Sequence, residues 1–257
     1  MEKSDGLIQT GAYSIIGDRP SQQDSYCCTG DGNLLLASVC DGMGGMAGGE
    51  RASQTAVRSL VNGIRNAIPL KENEIPATMR QCLEEADREV TQLCDASGNP
   101  LYAGTTAVAV MMVENRMYWG SVGDSRIYYL SGGEITTLTR MHNYNLKLDE
   151  MYRTGEISLE ERERERGRGE ALISFLGIGN LPLADVSAEP CVMKKGDMVL
   201  LCSDGLYKSL NDAQILAIVE ESGENMQIAA GRLCNEALRL SVAKQDNTTV
   251  VILRMEQ

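Results

Sequence analysis

Residues 34–53 read LLLASVCDGMGGMAGGERAS. The first seven form a near-continuous apolar run, which predicts a strand buried on both faces rather than an alternating, half-solvated one. The run ends on a carboxylate, Asp41, followed by Gly42, Gly44, Gly45, Gly48 and Gly49. Glycines let the backbone bend sharply and leave room beside the acid. The helix expected after Gly49 points its N-terminus at the same place, favouring negative charge there. A glycine-rich turn that only caps a helix is the competing account.

Other strand signals lie at Leu7–Ile16, Thr105–Val113, Arg116–Val122, Arg126–Leu130, Met198–Cys202 and Thr248–Leu253. Glu114-Asn115, Gly123-Asp124 and Gly132-Gly133 are too short for crossover helices, so an antiparallel meander is expected in mid-chain. Ala56, Leu60 and Ile64 mark one helical stripe, and Met79, Leu83, Ala86 and Val90 a second. Two more begin at Ile215 and Met226. Helix pairs separated by hairpin strands predict α+β layering with helices outside and sheets inside. Thr154–Glu170, TGEISLEERERERGRGE, alternates in charge sign and predicts a solvated helix laced with local ion pairs.

The chain has 257 residues, 43% of them hydrophobic, and a formal charge of −12. That balance argues against nucleic acid or an anionic membrane as partner and suits a cation site. No segment has the apolar length to cross a bilayer, and the first residues lack the layout of a signal peptide. Eight cysteines without a C-x-x-C pair read as reduced thiols of a cytoplasmic protein. One histidine, His142, makes an imidazole-built zinc site implausible.

Asp41 is one of four acids at strand ends. Asp124 follows WGSV, Asp204 follows MVLLCS, and Asp246 precedes TTVVIL. A single Asp-Gly is an ordinary turn. Four acids at strand ends of one compact domain would repel and pay desolvation unless a cation neutralised them. Hard divalent ions with oxygen ligands, Mg²⁺ or Mn²⁺, answer that need.

At this point the residues resemble a known family. GDRPSQQDSY, VCDGMGGMAGGERAS, AGTTAVAV, VGDSRIYYL, LLCSDGLYKSL and QDNTTVVIL stand in the order of the motifs of type 2C metal-dependent serine/threonine protein phosphatases, in their bacterial form. The resemblance runs nearly end to end. It implies one catalytic domain over 1–257, folded as a four-layer α-β-β-α sandwich of two mainly antiparallel sheets flanked by helix pairs. A mobile flap is implied at about 140–175. It further implies two Mn²⁺ or Mg²⁺ ions: Asp41 bridges them, the Gly42 carbonyl completes one site, and Asp204 and Asp246 hold the other. Asp124, with Asp204, would hold a third, weaker ion. Arg19 would bind the substrate phosphate, and Asp24 would orient waters. The implied reaction is hydrolysis of phosphoserine or phosphothreonine by direct attack of a metal-bridging hydroxide. The implied partners are phosphoproteins of a cognate kinase, and a monomer is expected.

Three departures stand out. Gln23 replaces an acid common among relatives, which removes one charge and predicts weaker metal binding. Met43 replaces a histidine and cannot donate a proton. The segments around His142 and at Leu172–Gly179 depart from the family pattern, so substrate preference transfers least. The alternatives to an active phosphatase are a catalytically weak relative acting as a binding or sensor module, and a two-metal phosphodiesterase.

Overall fold

The computed structural model describes residues 8–31, 34–45, 48–241 and 244–256. Its strands are β1 (Ile8–Ile15), β2 (Asp24–Asp31), β3 (Leu34–Met43), β4 (Gly104–Thr105), β5 (Ala107–Val113), β6 (Arg116–Val122), β7 (Arg126–Ser131), β8 (Glu134–Thr137), β9 (Asp185–Val186), β10 (Cys191–Val192), β11 (Met198–Cys202) and β12 (Thr248–Met255). Its helices are α1 (Gly48–Ala67), α2 (Ile75–Thr91), α3 (Tyr144–Arg153), α4 (Leu159–Glu165), α5 (Asp204–Tyr207), α6 (Asp212–Glu221) and α7 (Met226–Leu240). One sheet runs β1-β12-β11-β7-β8. The other runs β10-β6-β5-β3-β2, with β4 on β3 and β9 on β6.

Side-chain alternation explains the layers. Along β3, Leu36 and Cys40 pack toward α1 and α2, while Leu35, Ala37 and Val39 enter the space between the sheets. Along β12, Val250 and Ile252 face α6 and α7, and Val251 and Leu253 face the inter-sheet core. Strands covered on both sides need apolar residues at every position. The result is the expected α-β-β-α sandwich, with an apolar interface at each of its three boundaries.

Two expectations need correction. The mid-chain strands do not form one meander: β5 and β6 pair in one sheet, while β7 and β8 pair in the other. The Gly123-Asp124 turn, with Gly123 at φ +97°, carries the chain between sheets. Thr105–Val113 is also not continuous. Thr106 leaves the ladder and donates its N–H to the Asp41 carbonyl. Leu7, the first residue of the strand expected over Leu7–Ile16, lies outside the described residues.

The charged segment folds as expected at its centre. Ser158 and Glu161 cap α4 reciprocally. Arg162 pairs with Asp149 and Glu163, and Arg166 with Glu163. None of the eight cysteines is in a disulfide, and Cys40, Cys82, Cys202 and Cys234 are buried. Among the described residues no helix is long and apolar enough to cross a membrane.

Close backbone approach fixes how α7 seats on its sheet. A Cβ on Gly11 of β1 would lie 2.1 Å from the Met226 carbonyl at the start of α7. Gly11→Ala is expected to destabilise by about 3 kcal/mol, the upper end for overpacking. Gly167→Ala, which meets nothing within 4 Å, should change stability by less than about 0.5 kcal/mol. Denaturant midpoints of the two variants check this.

Candidate metal centre

The site is built where strand ends from both sheets meet. Asp24 of β2 and Asp41 of β3 stand directly opposite in the ladder. Residues opposite one another share a sheet face. The sheet-switching turn supplies Asp124, the start of α5 supplies Asp204, and the residue two before β12 is Asp246. Asp41, Gly42, Asp124, Asp204 and Asp246 line one cavity of about 470 Å³, together with Arg19, Gln23, Met43, Glu170, Leu172 and Lys208. Six of the seven expected site residues thus share this cavity. The seventh, Asp24, is buried beside it, with one carboxylate oxygen accepting from the Ser203 hydroxyl at 2.7 Å.

The opening glycines are explained by contact. A Cβ on Gly42 would sit 2.1 Å from the Gly49 carbonyl oxygen and 2.6 Å from that of Gln23. One on Gly49 would sit 2.6 Å from Gln23 Oε1. The start of α1, β2 and β3 can therefore close on each other only without side chains at these positions.

The electrostatics are those of crowded carboxylates. Burial, then the charges of Asp24, Asp204, Asp124 and Asp246, push Asp41 well above the usual carboxylate range. Burial pushes Asp24 up to about 7, against the hydrogen bonds of Ser203 and Thr249. Asp124 rises to about 6, first through burial and then through Asp204. Two carboxylate oxygens, Asp24 Oδ1 and Asp204 Oδ1, are buried and lack a hydrogen-bond partner among the described residues. Unsatisfied carboxylate oxygens beside an all-oxygen donor set fit a hard divalent cation. Among the described residues no three acids, imidazoles or thiols already enclose a single point. Instead Asp246 accepts from Arg19 at 2.5 Å and Asp204 from Lys208 at 2.6 Å.

Several positioning residues were not singled out from the sequence. The Thr105 hydroxyl and the Thr106 N–H both donate to the Asp41 carbonyl at 2.9 Å, and Asp41 N–H donates to the Thr106 hydroxyl at 3.0 Å. Asn247 accepts from Gln23 N–H at 2.8 Å and donates to the carbonyls of Ile16 and Ser21 at 2.7 and 3.1 Å. It therefore shapes the loop that carries Arg19. Their signal was inside the quoted motifs: the paired threonines of AGTT and the asparagine of QDN.

His142 is fully buried and does not line the cavity. Its Nδ1 accepts from Gly123 N–H at 3.2 Å, so the proton sits on Nε2, 3.1 Å from Asp185 Oδ2. Its carbonyl accepts from Ile173 N–H at 2.9 Å. The single histidine ties the Asp124 turn to the outgoing leg of the 140–175 excursion. Leu172–Gly179 is anchored in turn by Asp87, which accepts from the N–H groups of Gly177 and Gly179.

The chain is similar in sequence and fold to known proteins. The serine/threonine phosphatase stp of Listeria monocytogenes is 30% identical over 225 residues, spanning 87% of this chain and 86% of the relative. A solved serine/threonine phosphatase of S. agalactiae superposes with a TM-score of 0.82 at 25% identity, covering 97% and 100% of the two chains. The catalytic domain of the phosphatase PstP, solved with two manganese ions, gives a TM-score of 0.70 at 27% identity, covering 98% and 99%. Residues 10–239 match protein phosphatase 2C, and the chain belongs to that family. It is a metal-dependent phosphoprotein phosphatase.

The raised carboxylates set a pH dependence for the metal-free protein. A carboxyl whose folded pKa exceeds its unfolded value holds its proton longer in the native state, so native stability falls as pH rises between the two values. For Asp24 that window runs from 3.8 to about 7. In EDTA, stability is expected to fall from pH 5 to pH 7 by about 1 kcal/mol per unit, and Asp24→Asn should flatten the slope. Urea melts across that range check it.

Proposed function

We propose that the cavity is the catalytic centre of a serine/threonine phosphatase, with Asp41, the Gly42 carbonyl, Asp204 and Asp246 as ligands of two divalent ions. The observation that carries this is the convergence of acids from five separate chain segments on one cavity, with Arg19 at its rim. The ions supply charge to acidify a water and to neutralise phosphoryl oxygens. Asp124 lines the same cavity as Asp204, and the two are the pair that would hold a third, weaker ion.

The remaining roles belong to the chain. Arg19 is half-exposed and carries a planar fork suited to two phosphoryl oxygens. Substrate phosphate would draw it from Asp246, freeing that carboxylate. Asp24, fixed by Ser203, keeps one oxygen free to orient water. Met43 lines the cavity without a transferable proton, so the leaving alkoxide takes its proton from water. Glu170 and Leu172 bring the 140–175 excursion to the cavity wall, which supports its reading as a flap that selects substrate. The same proposal includes one catalytic domain acting as a monomer in the cytoplasm on the products of a partner kinase, as the resemblance implies.

Phosphate release from phosphoserine and phosphothreonine peptides tests the reading. Activity should require Mn²⁺ or Mg²⁺ and vanish in EDTA. Asp24→Asn should lose about 10–100-fold, Asp41→Asn more, and Arg19→Ala should raise KM. Equal rates for wild type and Asp41→Asn would favour a binding module, and preference for a phosphodiester would overturn the monoesterase assignment.

A further inference from the structure

Lys208 has no role in the account so far, yet it stands within the carboxylate cluster. Asp204 opens the short helix α5 and Lys208 is its C-cap, four residues on. Residues at that spacing lie on one helix face. Lys208 Nζ accordingly donates to Asp204 Oδ2 at 2.6 Å. Asp204, Asp124 and Glu170 all act on this ammonium, and all three line the same cavity wall. Lys208 in turn is the positive charge that acts on Asp124. The neighbouring Tyr207 fixes the acid from behind, its hydroxyl donating to the Asp124 carbonyl at 3.1 Å. The Tyr207 ring is itself held under the Arg126 guanidinium at 3.7 Å. One turn of chain therefore seats Asp124 and places a cation on its neighbour Asp204.

We propose that the Lys208 ammonium is a built-in third cation of this centre, filling the place between Asp124 and Asp204 and limiting the chain to two divalent ions. The inference rests on the metal-centre assignment above. Charge supports it. Asp24, Asp41, Asp124, Asp204, Asp246 and Glu170 carry six negative charges when ionised; two divalent ions offset four, and Arg19 and Lys208 offset the other two. A third divalent ion would have to displace a tethered ammonium and then tolerate it nearby, with two other ions already present. Asp204 is divided to match: Oδ2 holds Lys208, while Oδ1 is buried and unpartnered, free for an ion on its other side.

Equilibrium dialysis against Mn²⁺ into the millimolar range, with bound metal counted per chain, decides the matter. Wild type should bind two ions and Lys208→Asn three, while Lys208→Arg, which keeps the charge, should stay at two. Thermal melting in EDTA verifies that each variant is folded. Because the wild-type count is itself diagnostic, the test does not depend on one variant folding. Three ions in the wild type, or two in a folded Lys208→Asn, would overturn the role of Lys208 and leave the two-ion centre standing. No bound Mn²⁺ in the wild type would overturn the metal centre and this inference with it.

Discussion

Like-charge crowding is the constraint around which this fold is organised. Asp24 and Asp41 face each other across the β2–β3 ladder, a pairing that sheets ordinarily avoid. Two unit charges about 4 Å apart repel by about 4 kcal/mol at an effective dielectric of 20. Asp204, Asp246 and Asp124 add to the same field. Apolar packing of three layers can hold such a cluster in place, but it cannot neutralise it. The protein answers with protons, with the cations Arg19 and Lys208, and with an oxygen-lined cavity suited to divalent ions. Stability and chemistry therefore compete for the same carboxylates.

The sandwich is what makes the crowding possible. β3 and β5 sit inside one sheet, β11 and β12 inside the other, and all four are covered on both faces. Their ends cannot move without disturbing two apolar interfaces at once. Glycine then allows what side chains would forbid: Gly42 and Gly49 bring the start of α1 against β2 and β3. The threonine pair at 105–106 locks the Asp41 backbone from one side, and Asn247 locks the Arg19 loop from the other. Asp41 is thus aimed by neutral hydrogen bonds to its own N–H and carbonyl rather than to its carboxylate.

Much of this was legible in the chain, and the limits have physical causes. Strands buried on both faces declare themselves by unbroken apolar runs, as LLLASVC and VVIL do. β2 does not, because an edge strand reading DSYCCTGD is polar on its open side and carries a glycine. The sheet switch at Gly123 was invisible, since a two-residue turn looks the same whether it returns to its own sheet or crosses to the next. The acids were legible because ionisable residues at the ends of core strands are costly without a partner. Their supports were not, because threonine, serine and asparagine are common turn residues whose targets lie 64 to 231 residues away in sequence. The lone His142 offers no sequence signal of its place, and the structure puts it at the base of the excursion, outside the cavity.

Neutral positioning and charged function are thereby separated within single segments. In CSDGLYKSL, Ser203 serves Asp24, Asp204 faces the cavity, Tyr207 seats Asp124 and Lys208 balances Asp204. Nothing in the fold requires a lysine at the last of these positions, since its side chain is half-exposed and packs into none of the three apolar interfaces. The residue is free to be chosen for charge alone. A site whose cations come partly from solution and partly from its own chain can set how many ions it takes by one side chain at the end of a four-residue helix. The surrounding sandwich, with its acids fixed by backbone geometry, need not change.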